Sequence, residues 1–356
     1  MRGLFPAMAV AALACSTDNP NAPDLDSTAI PAFVLREERI VPHRPHGVAV
    51  SPDGSKLVVA TYYGRQVLIL DAETYSLLTE PIGHPENWGV DITPDGRRAL
   101  VASRKGGWIL DLDSGTQAAF LDVHSRWIAS NTDGSAYYTV GVAPGEFGAF
   151  MKFDTSGRIV AQSDTNEGYH FCFALSPDDD LALVALVFRD ALRVMDANTL
   201  RTRFEIPVEL DPTHCILVPL DEPGLVAVVR LGNGFVDVTT VNYGQGSILA
   251  RETLPLETGH LPWAPSFGRG NPWARIGTGH IVFPTNLGFL LLNSSTGRIA
   301  AFLDDVDMPV FGGLCCEAAY DPARNRLIVM GDVESLQPSP GGTLLVYDVV
   351  EGEPQR

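Results

Sequence analysis

Positively charged residues are scarce in this chain of 356 residues. It has 25 Lys and Arg against 43 Asp and Glu, which gives a formal net charge of −18. Because a nucleic-acid-binding surface needs a basic face to neutralise phosphates, this balance argues against a nucleic-acid partner. Long apolar runs are also missing, since no segment after the N-terminus approaches the roughly eighteen apolar residues of a membrane-spanning helix.

Common catalytic motifs and helix-period segments are absent as well. The chain has no G-x-S-x-G nucleophile elbow, no H-E-x-x-H zinc motif, no P-loop and no G-x-G-x-x-G. The standard nucleophile, metalloprotease and nucleotide-binding classes therefore lose their sequence support. What the chain has instead is 34 Gly and 26 Pro, an excess that is typical of a globular protein with many tight turns.

The N-terminal segment predicts an export signal followed by a tether. A positively charged start precedes a short apolar stretch, and the run Ala12-Leu13-Ala14-Cys15 comes before a polar segment. This run resembles the lipobox of bacterial lipoproteins, which implies a signal peptide at residues 1–14 and lipidation of Cys15. Residues 15–30, rich in Asp, Asn, Pro and Ser, are expected to form a flexible tether. Simple secretion with cleavage nearby and an unprocessed N-terminus are the alternatives.

Two sequence signals recur along the rest of the chain. The first is a turn of the Ser-Pro-Asp-Gly type, which occurs at residues 51–54, 93–96, 131–134 and 176–179. The second is an apolar run that ends in Asp or Asn before a polar turn, at Asp71, Asp111, Asp154, Asp196, Asn242, Asn293 and Asp348. The second signal counts seven repeated units.

Each unit has the composition of four short strands. In the first unit, β-prone runs at 47–50, 56–61, 66–70 and 76–79 are separated by turn residues. Four strands in about 40 residues is the pattern of one propeller blade. The sequence therefore predicts an all-β fold, a seven-bladed β-propeller of four-stranded antiparallel blades, with residues 31–356 forming one domain.

The last unit lacks an outer strand of its own. Only eight residues follow Asp348, and they are too polar for a confident strand. Residues 33–41 precede the first unit and are similar to outer strands elsewhere in the chain. We therefore predict that this N-terminal strand completes the last blade, which would close the ring and remove an exposed sheet edge.

Two pairs of strands carry a family resemblance. The runs 57–62 with 67–71, and 183–186 with 192–196, resemble the YVTN-type β-propeller repeats of exported bacterial proteins, which are WD40-like in architecture. The resemblance covers residues 33–350 and implies the propeller fold. It implies no single activity, because related rings serve as lactonases, dehydrogenase subunits, metal enzymes and binding scaffolds.

Histidines concentrate in the connections that lead from one unit to the next. In a propeller these connections run across one face toward the central channel. His46, His170 and His214 come immediately before inner strands, so they could converge on the channel mouth and hold a transition metal or an anion. Polar ligand binding without a metal, and a purely structural role, are the alternatives. The pairing of the cysteines that follow Cys15 is left open, namely Cys172, Cys215, Cys315 and Cys316.

Aromatic and charged residues accompany the histidines in these connections. The long segment from 257 to 275 combines Trp and Arg side chains, which can grip a sugar, an anion or a peptide, although an aromatic plug over the channel is an equal alternative. The full predicted ligand-binding set at the channel mouth is His46, Trp88, Arg126, His170, His214, Trp263, Arg269, Trp273 and Glu317. Of the inner-strand carboxylates, only Glu317 and Asp91 could serve as metal ligands or a base.

Two functions remain from the sequence. The preferred one is a non-enzymatic scaffold at the cell envelope, lipid-anchored, facing the periplasm or cell surface of a bacterium, and binding a small molecule or a protein. It requires no cofactor, and the protein is expected to be a monomer. The alternative is an enzyme with its site at the channel mouth, either a metal-dependent hydrolase of the lactonase type with a divalent ion held by the rim histidines or another propeller enzyme. The absence of an assignable base favours the scaffold.

Overall fold

The structure is a computed structural model in which the residues described are 29–42, 45–62, 66–81, 86–142, 148–163, 170–210, 215–232, 234–255, 272–285, 288–304, 306, 315–331 and 341–352. Strands account for nearly all of the secondary structure in these ranges. The outer strand β1 spans Ala32–Pro42. Among the same residues, no helix is long and apolar enough to cross a lipid bilayer.

The strands after β1 fall into seven consecutive groups. The bounds for the first four blades are β2 (Pro45–Val50), β3 (Lys56–Thr61), β4 (Val67–Asp71), β5 (Leu77–Thr79), β6 (Asn87–Ile92), β7 (Arg98–Ser103), β8 (Gly107–Asp111), β9 (Thr116–Leu121), β10 (His124–Ser130), β11 (Ala136–Val142), β12 (Ala149–Asp154), β13 (Ile159–Gln162), β14 (His170–Leu175), β15 (Leu181–Leu186), β16 (Ala191–Asp196) and β17 (Thr202–Pro207). A single 3-10 turn at Val187–Arg189 joins β15 to β16.

The last three groups follow the same plan. Their bounds are β18 (Cys215–Pro219), β19 (Leu225–Gly232), β20 (Phe235–Asn242), β21 (Ser247–Pro255), β22 (Ala274–Ile276), β23 (His280–Thr285), β24 (Gly288–Asn293), β25 (Ile299–Leu303), β26 (Cys315–Asp321), β27 (Arg326–Gly331) and β28 (Gly341–Val350). In the described chain the first six groups each form one four-stranded antiparallel sheet, and the last group forms one together with β1, so the predicted seven-bladed propeller is confirmed.

Both repeated signals are turns built by their own side chains. In the first blade, Ser51 Oγ donates to Asp53 Oδ1 at 2.6 Å, the Ser55 N–H donates to the same oxygen at 3.0 Å, and Gly54 adopts a φ of 68°. Asp71 Oδ1 accepts the backbone N–H of Thr74 at 2.7 Å after the third strand. These bonds satisfy backbone groups of the turns, which explains why the same residue types recur at turn-face hairpins along the chain.

The N-terminal strand completes the last blade, as the sequence predicts. The sheet order is β1-β28-β27-β26, and the antiparallel register runs from Ala32 opposite Val350 to Pro42 opposite Gly341. The ring of Phe33 meets Phe289 edge-on at 4.8 Å, so this strand also packs against the sixth blade. The predicted range 33–41 is one residue short of the strand at each end.

The hydrophobic core is divided among the blades. Seven buried clusters occur, and each lies between two consecutive sheets around the ring. One of them joins Val48 and Leu57 of the first blade to Leu344 and Val346 of the last blade. Because the middle strands are covered on both sides, strands such as Leu181–Leu186 are apolar throughout rather than alternating.

The antiparallel order gives the ring two unlike faces. We call the face where the Ser-Pro-Asp-Gly turns and the Asp-ended turns lie the turn face, and the opposite one the loop face. On the turn face the connections are short and similar, such as 51–55 and 93–97. On the loop face they range from the tight link between Gly232 and Phe235 to the stretch between Pro255 and Ala274.

Candidate functional site

Inner strands begin on the loop face with a shared irregularity. Five of the seven inner strands in the described chain, β2, β6, β10, β14 and β26, shift register against the second strand near their first residues. The shift inserts an extra residue, which is His46 in β2, Trp88 in β6 and Arg126 in β10. Because a β-bulge re-aims a side chain at a sheet edge, three predicted site residues occupy equivalent positions at the channel mouth.

His46 and Trp88 are both buried near the mouth. The His46 side chain is 8% exposed, and its ring lies 5.4 Å from that of Tyr62. Trp88 is 3% exposed, and its indole lies 5.2 Å from the His124 ring. The inner strands approach closely here, because a Cβ on Gly47 would lie 2.9 Å from the Trp88 carbonyl oxygen. These side chains pack into the rim of the channel.

Glu317 follows the bulge of the last inner strand and is 5% exposed. Trp273 lies directly before β22 and is half-buried, and its indole nitrogen has no acceptor in the described part of the chain. Cys172 is buried in the apolar cluster between the fourth and fifth blades, where it packs as a small hydrophobic residue.

The other predicted residues lie outside what the structure describes. Among them, His214, Trp263 and Arg269 are outside the described residues, and the side chains of Arg126, His170, Cys215, Cys315 and Cys316 are also outside them. Within the described residues, no group of three or more His, Cys, Asp or Glu side chains could hold a metal ion. The metal set His46, His170 and His214 therefore stays a prediction.

The central channel contains two adjoining cavities of about 180 and 500 Å³. Both are lined by Asp91 and Trp273. The smaller one adds Trp127 and Phe173, and the larger one adds Tyr320. The lining also includes the last residues of several inner strands, so the space extends toward the turn face rather than stopping at the bulges.

Asp91 is the one departure from a ring of small apolar residues. It pairs with Leu100 of the next strand, and the equivalent register position in the other inner strands is Ala49, Ala129, Ala174, Val218, Ala274 and Ala319. Six members of this ring line the cavities, and Val218 is the exception. The sequence points to Asp91 only as an inner-strand carboxylate, because its neighbours around the ring are set by the register.

Burial raises the pKa of Asp91 to about 6, although hydrogen bonds from Ser130 and the Ile92 N–H oppose the shift. The Ser130 N–H lies 2.9 Å from Asp91 Oδ2, and the Ser130 hydroxyl lies 3.3 Å from the same oxygen. The group is therefore ionised at neutral pH but easily protonated.

Arg275 also lines the larger cavity, but an ion pair neutralises its charge. Its guanidinium forms an ion pair with Asp221 and donates to the Pro219 carbonyl oxygen at 2.5 Å. Burial lowers the pKa of this guanidinium from its usual high range. The Asp221 carboxylate in turn accepts a bond from Ser294 Oγ. Arg275 therefore ties the fifth blade to the sixth and leaves the Asp91 carboxylate without a basic partner among the described residues.

Phe188 is a surface feature that sequence reasoning missed. It lies in the 3-10 turn between β15 and β16, on the loop face, and is 65% exposed. The sequence does not reveal that Phe188 is exposed, because this residue continues the apolar run of the buried strand before it. In the structure β15 ends at Leu186, and the Phe188 side chain beyond it is exposed.

The fold and the channel place this chain in the class of seven-bladed β-propellers. Solved structures similar to it include the β-propeller domain of Cps50 (Swd1) from Myceliophteria thermophila, with a TM-score of 0.65 and 14% identity, covering 90% of this chain and 100% of that one. Hydrazine synthase from Kuenenia stuttgartiensis has a TM-score of 0.65 and 16% identity, covering 88% and 97%. No family model matches the chain, and no curated protein matches it. At such identities the likeness shows the fold alone.

Proposed function

We propose that this protein is a binding scaffold that engages a protein or small-molecule ligand through its loop face. The propeller fold is in general suited to protein binding, and the contrast between the two faces supports this assignment. Turn-face side chains such as Asp53 and Asp71 are occupied by their own turn backbone. Loop-face connections vary in length and carry the exposed Phe188, and the buried His46 and Trp88 lie at the strand bulges beside them. Variable connections on a rigid ring are where binding residues concentrate.

Photo-crosslinking in the cell that produces the protein tests this assignment. A photoreactive phenylalanine analogue replaces Lys105 or Phe188 on the loop face, and Asp113 or Asn198 on the turn face as matched controls. We expect a discrete adduct, of the same mass from both loop-face positions and absent from the turn-face positions. Equal labelling from both faces, or no adduct from the loop face, would contradict the proposal.

The location proposed for this scaffold is the bacterial cell envelope. Its support is the lipobox-like run that ends at Cys15 and the likeness of the blades to YVTN-type repeats of exported proteins. Cys15→Ser is expected to abolish labelling by a palmitate analogue and to move the protein from the membrane fraction to the soluble fraction. Cys172→Ser is the control and should remain membrane-bound. A wild-type protein that is not labelled would refute the anchor while leaving the loop-face proposal standing.

A further inference from the structure

The channel cavities offer a second recognition surface, which lies inside the ring. They run from Trp127, Phe173 and Trp273, on the loop-face side of the Asp91 tier, to the turn-face ends of the inner strands, where Gly277 and Pro322 complete the wall. The inner-strand alanines of this tier leave the space open, since larger side chains at the same positions would fill it. An open channel of this volume is in the range of small-molecule sites.

The walls of this space are mainly apolar and aromatic. Trp127 and Phe173 pack edge-on, with 6.5 Å between their ring centroids, and line the smaller cavity beside Trp273. Tyr320 lines the larger cavity, and its hydroxyl donates to Asn325 Oδ1 at 2.6 Å. Aromatic faces attract cations through the negative potential above the ring, and this attraction grows where water is excluded.

The charge in this space is negative. Asp91 is bonded to Ser130 alone among the side chains described, and it has no ion-pair partner there. The neighbouring basic groups on the turn-face side are engaged elsewhere: Arg275 pairs with Asp221, Lys56 with Asp113 at 2.7 Å, and Arg324 with Asp321 at 2.9 Å. A half-buried carboxylate with no counter-ion is costly, and a cationic ligand would offset that cost.

We infer that the channel binds a small organic cation, a primary ammonium group on an apolar body. The Asp91 carboxylate accepts the N–H groups of the ammonium, and Trp127, Phe173 and Trp273 surround the apolar part. An anion is disfavoured because the accessible charge is a carboxylate, and a neutral molecule forgoes the charge-assisted hydrogen bond. This site goes beyond the loop-face function and does not depend on it.

Isothermal titration calorimetry at pH 7.5 tests the inference with three probes of matched size. Phenethylammonium is the cation, 2-phenylethanol the neutral analogue and 3-phenylpropionate the anion. We expect saturable binding of phenethylammonium to the full chain at millimolar concentrations or below, and binding of the other two at least about tenfold weaker. Binding of 2-phenylethanol as tight as that of the cation, or no binding of the cation, would overturn the inference.

A pair of variants locates the site. Asp91→Asn removes the charge and keeps an oxygen that can accept the Ser130 N–H, so we expect a loss of phenethylammonium affinity of about tenfold or more. Asp180→Asn removes the same charge from an exposed turn-face position and should bind as the wild type does. Equal affinity in Asp91→Asn and wild type would overturn the assignment. The probe comparison on wild-type protein stays decisive if the Asp91→Asn variant folds poorly.

Discussion

At the residue scale, the two kinds of aspartate in this fold respond to acid in opposite ways. Hydrogen bonds from Ser51 and Ser55 lower the pKa of Asp53 to about 2, and bonds from Ser156 and the Arg158 N–H lower that of Asp154 to about 2. These turn carboxylates support the fold above their ordinary pKa of 3.8, and that support is lost as the pH falls through 2. Asp91 responds in the opposite way: its pKa is raised, so acid stabilises the fold at this position.

The raised pKa of Asp91 predicts a pH-dependent gain from Asp91→Asn. With a folded pKa of about 6 against an ordinary value of 3.8, the protonated form is favoured by folding. Its contribution is complete below pH 4 and lost as the pH rises through 6. We expect Asp91→Asn to raise the free energy of unfolding by about 1–3 kcal/mol at pH 8 and to leave it unchanged near pH 4.

Urea unfolding of the two proteins at both pH values measures this difference. Asp180→Asn, at an exposed side chain, serves as the control and should show no such pH-dependent gain. A gain of the same size at pH 4 and pH 8 would show that burial of the ionised Asp91 carboxylate is not its source.

At the element scale, hairpins are the part of the molecule that sequence describes best. The Asp-to-backbone bonds recur at Asp71, Asp111 and Asp196, because each needs only a carboxylate and the next three residues of chain. The bulges are different. His46 and Trp88 are predicted near the start of inner strands. The sequence around them does not show that each is the extra residue of a β-bulge.

The sequence predicts the loop-face elements less completely than the turn-face ones. Trp273, which is predicted at the channel mouth, lines both channel cavities. Trp127 and Phe173 become walls of the same space only because strands from different blades meet there. The sequence of one strand shows which side chains alternate between its two faces. It does not show which residues form the opposite wall of the channel.

At the scale of the whole molecule, ring closure depends on one strand from the far end of the chain. β1 pairs with β28 over its length, Phe33 and Leu35 pack on the cluster between the last two blades, and Val41 is buried in the cluster between the last blade and the first. Without this strand the last blade would expose both its edge and these two clusters.

Removal of residues 1–42 is therefore expected to destabilise the whole ring. Burial of Val41 contributes about 1.5–3 kcal/mol and the partly buried Phe33 and Leu35 add less each, so that together with the exposed edge of β28 the loss is a large share of the stability of a typical domain. We expect loss of the cooperative thermal transition, followed by circular dichroism. A chain that begins at Ala29 keeps the strand and is the control. A truncated protein with the control's midpoint would refute this account of closure.

The sequence by itself determines the number of blades, their strands, their turns and the strand that closes the ring. These features depend on short-range chemistry: the alternation of apolar runs with turns, and side chains such as Asp53 that bond to backbone a few residues away. Only the tertiary structure decides which residues face each other across the channel. Asp91 stands among the small apolar residues of six other blades because the closed ring brings distant, equivalent register positions to one tier. That placement turns an ordinary carboxylate into one that is half-buried in the channel and has no counter-ion among the described residues.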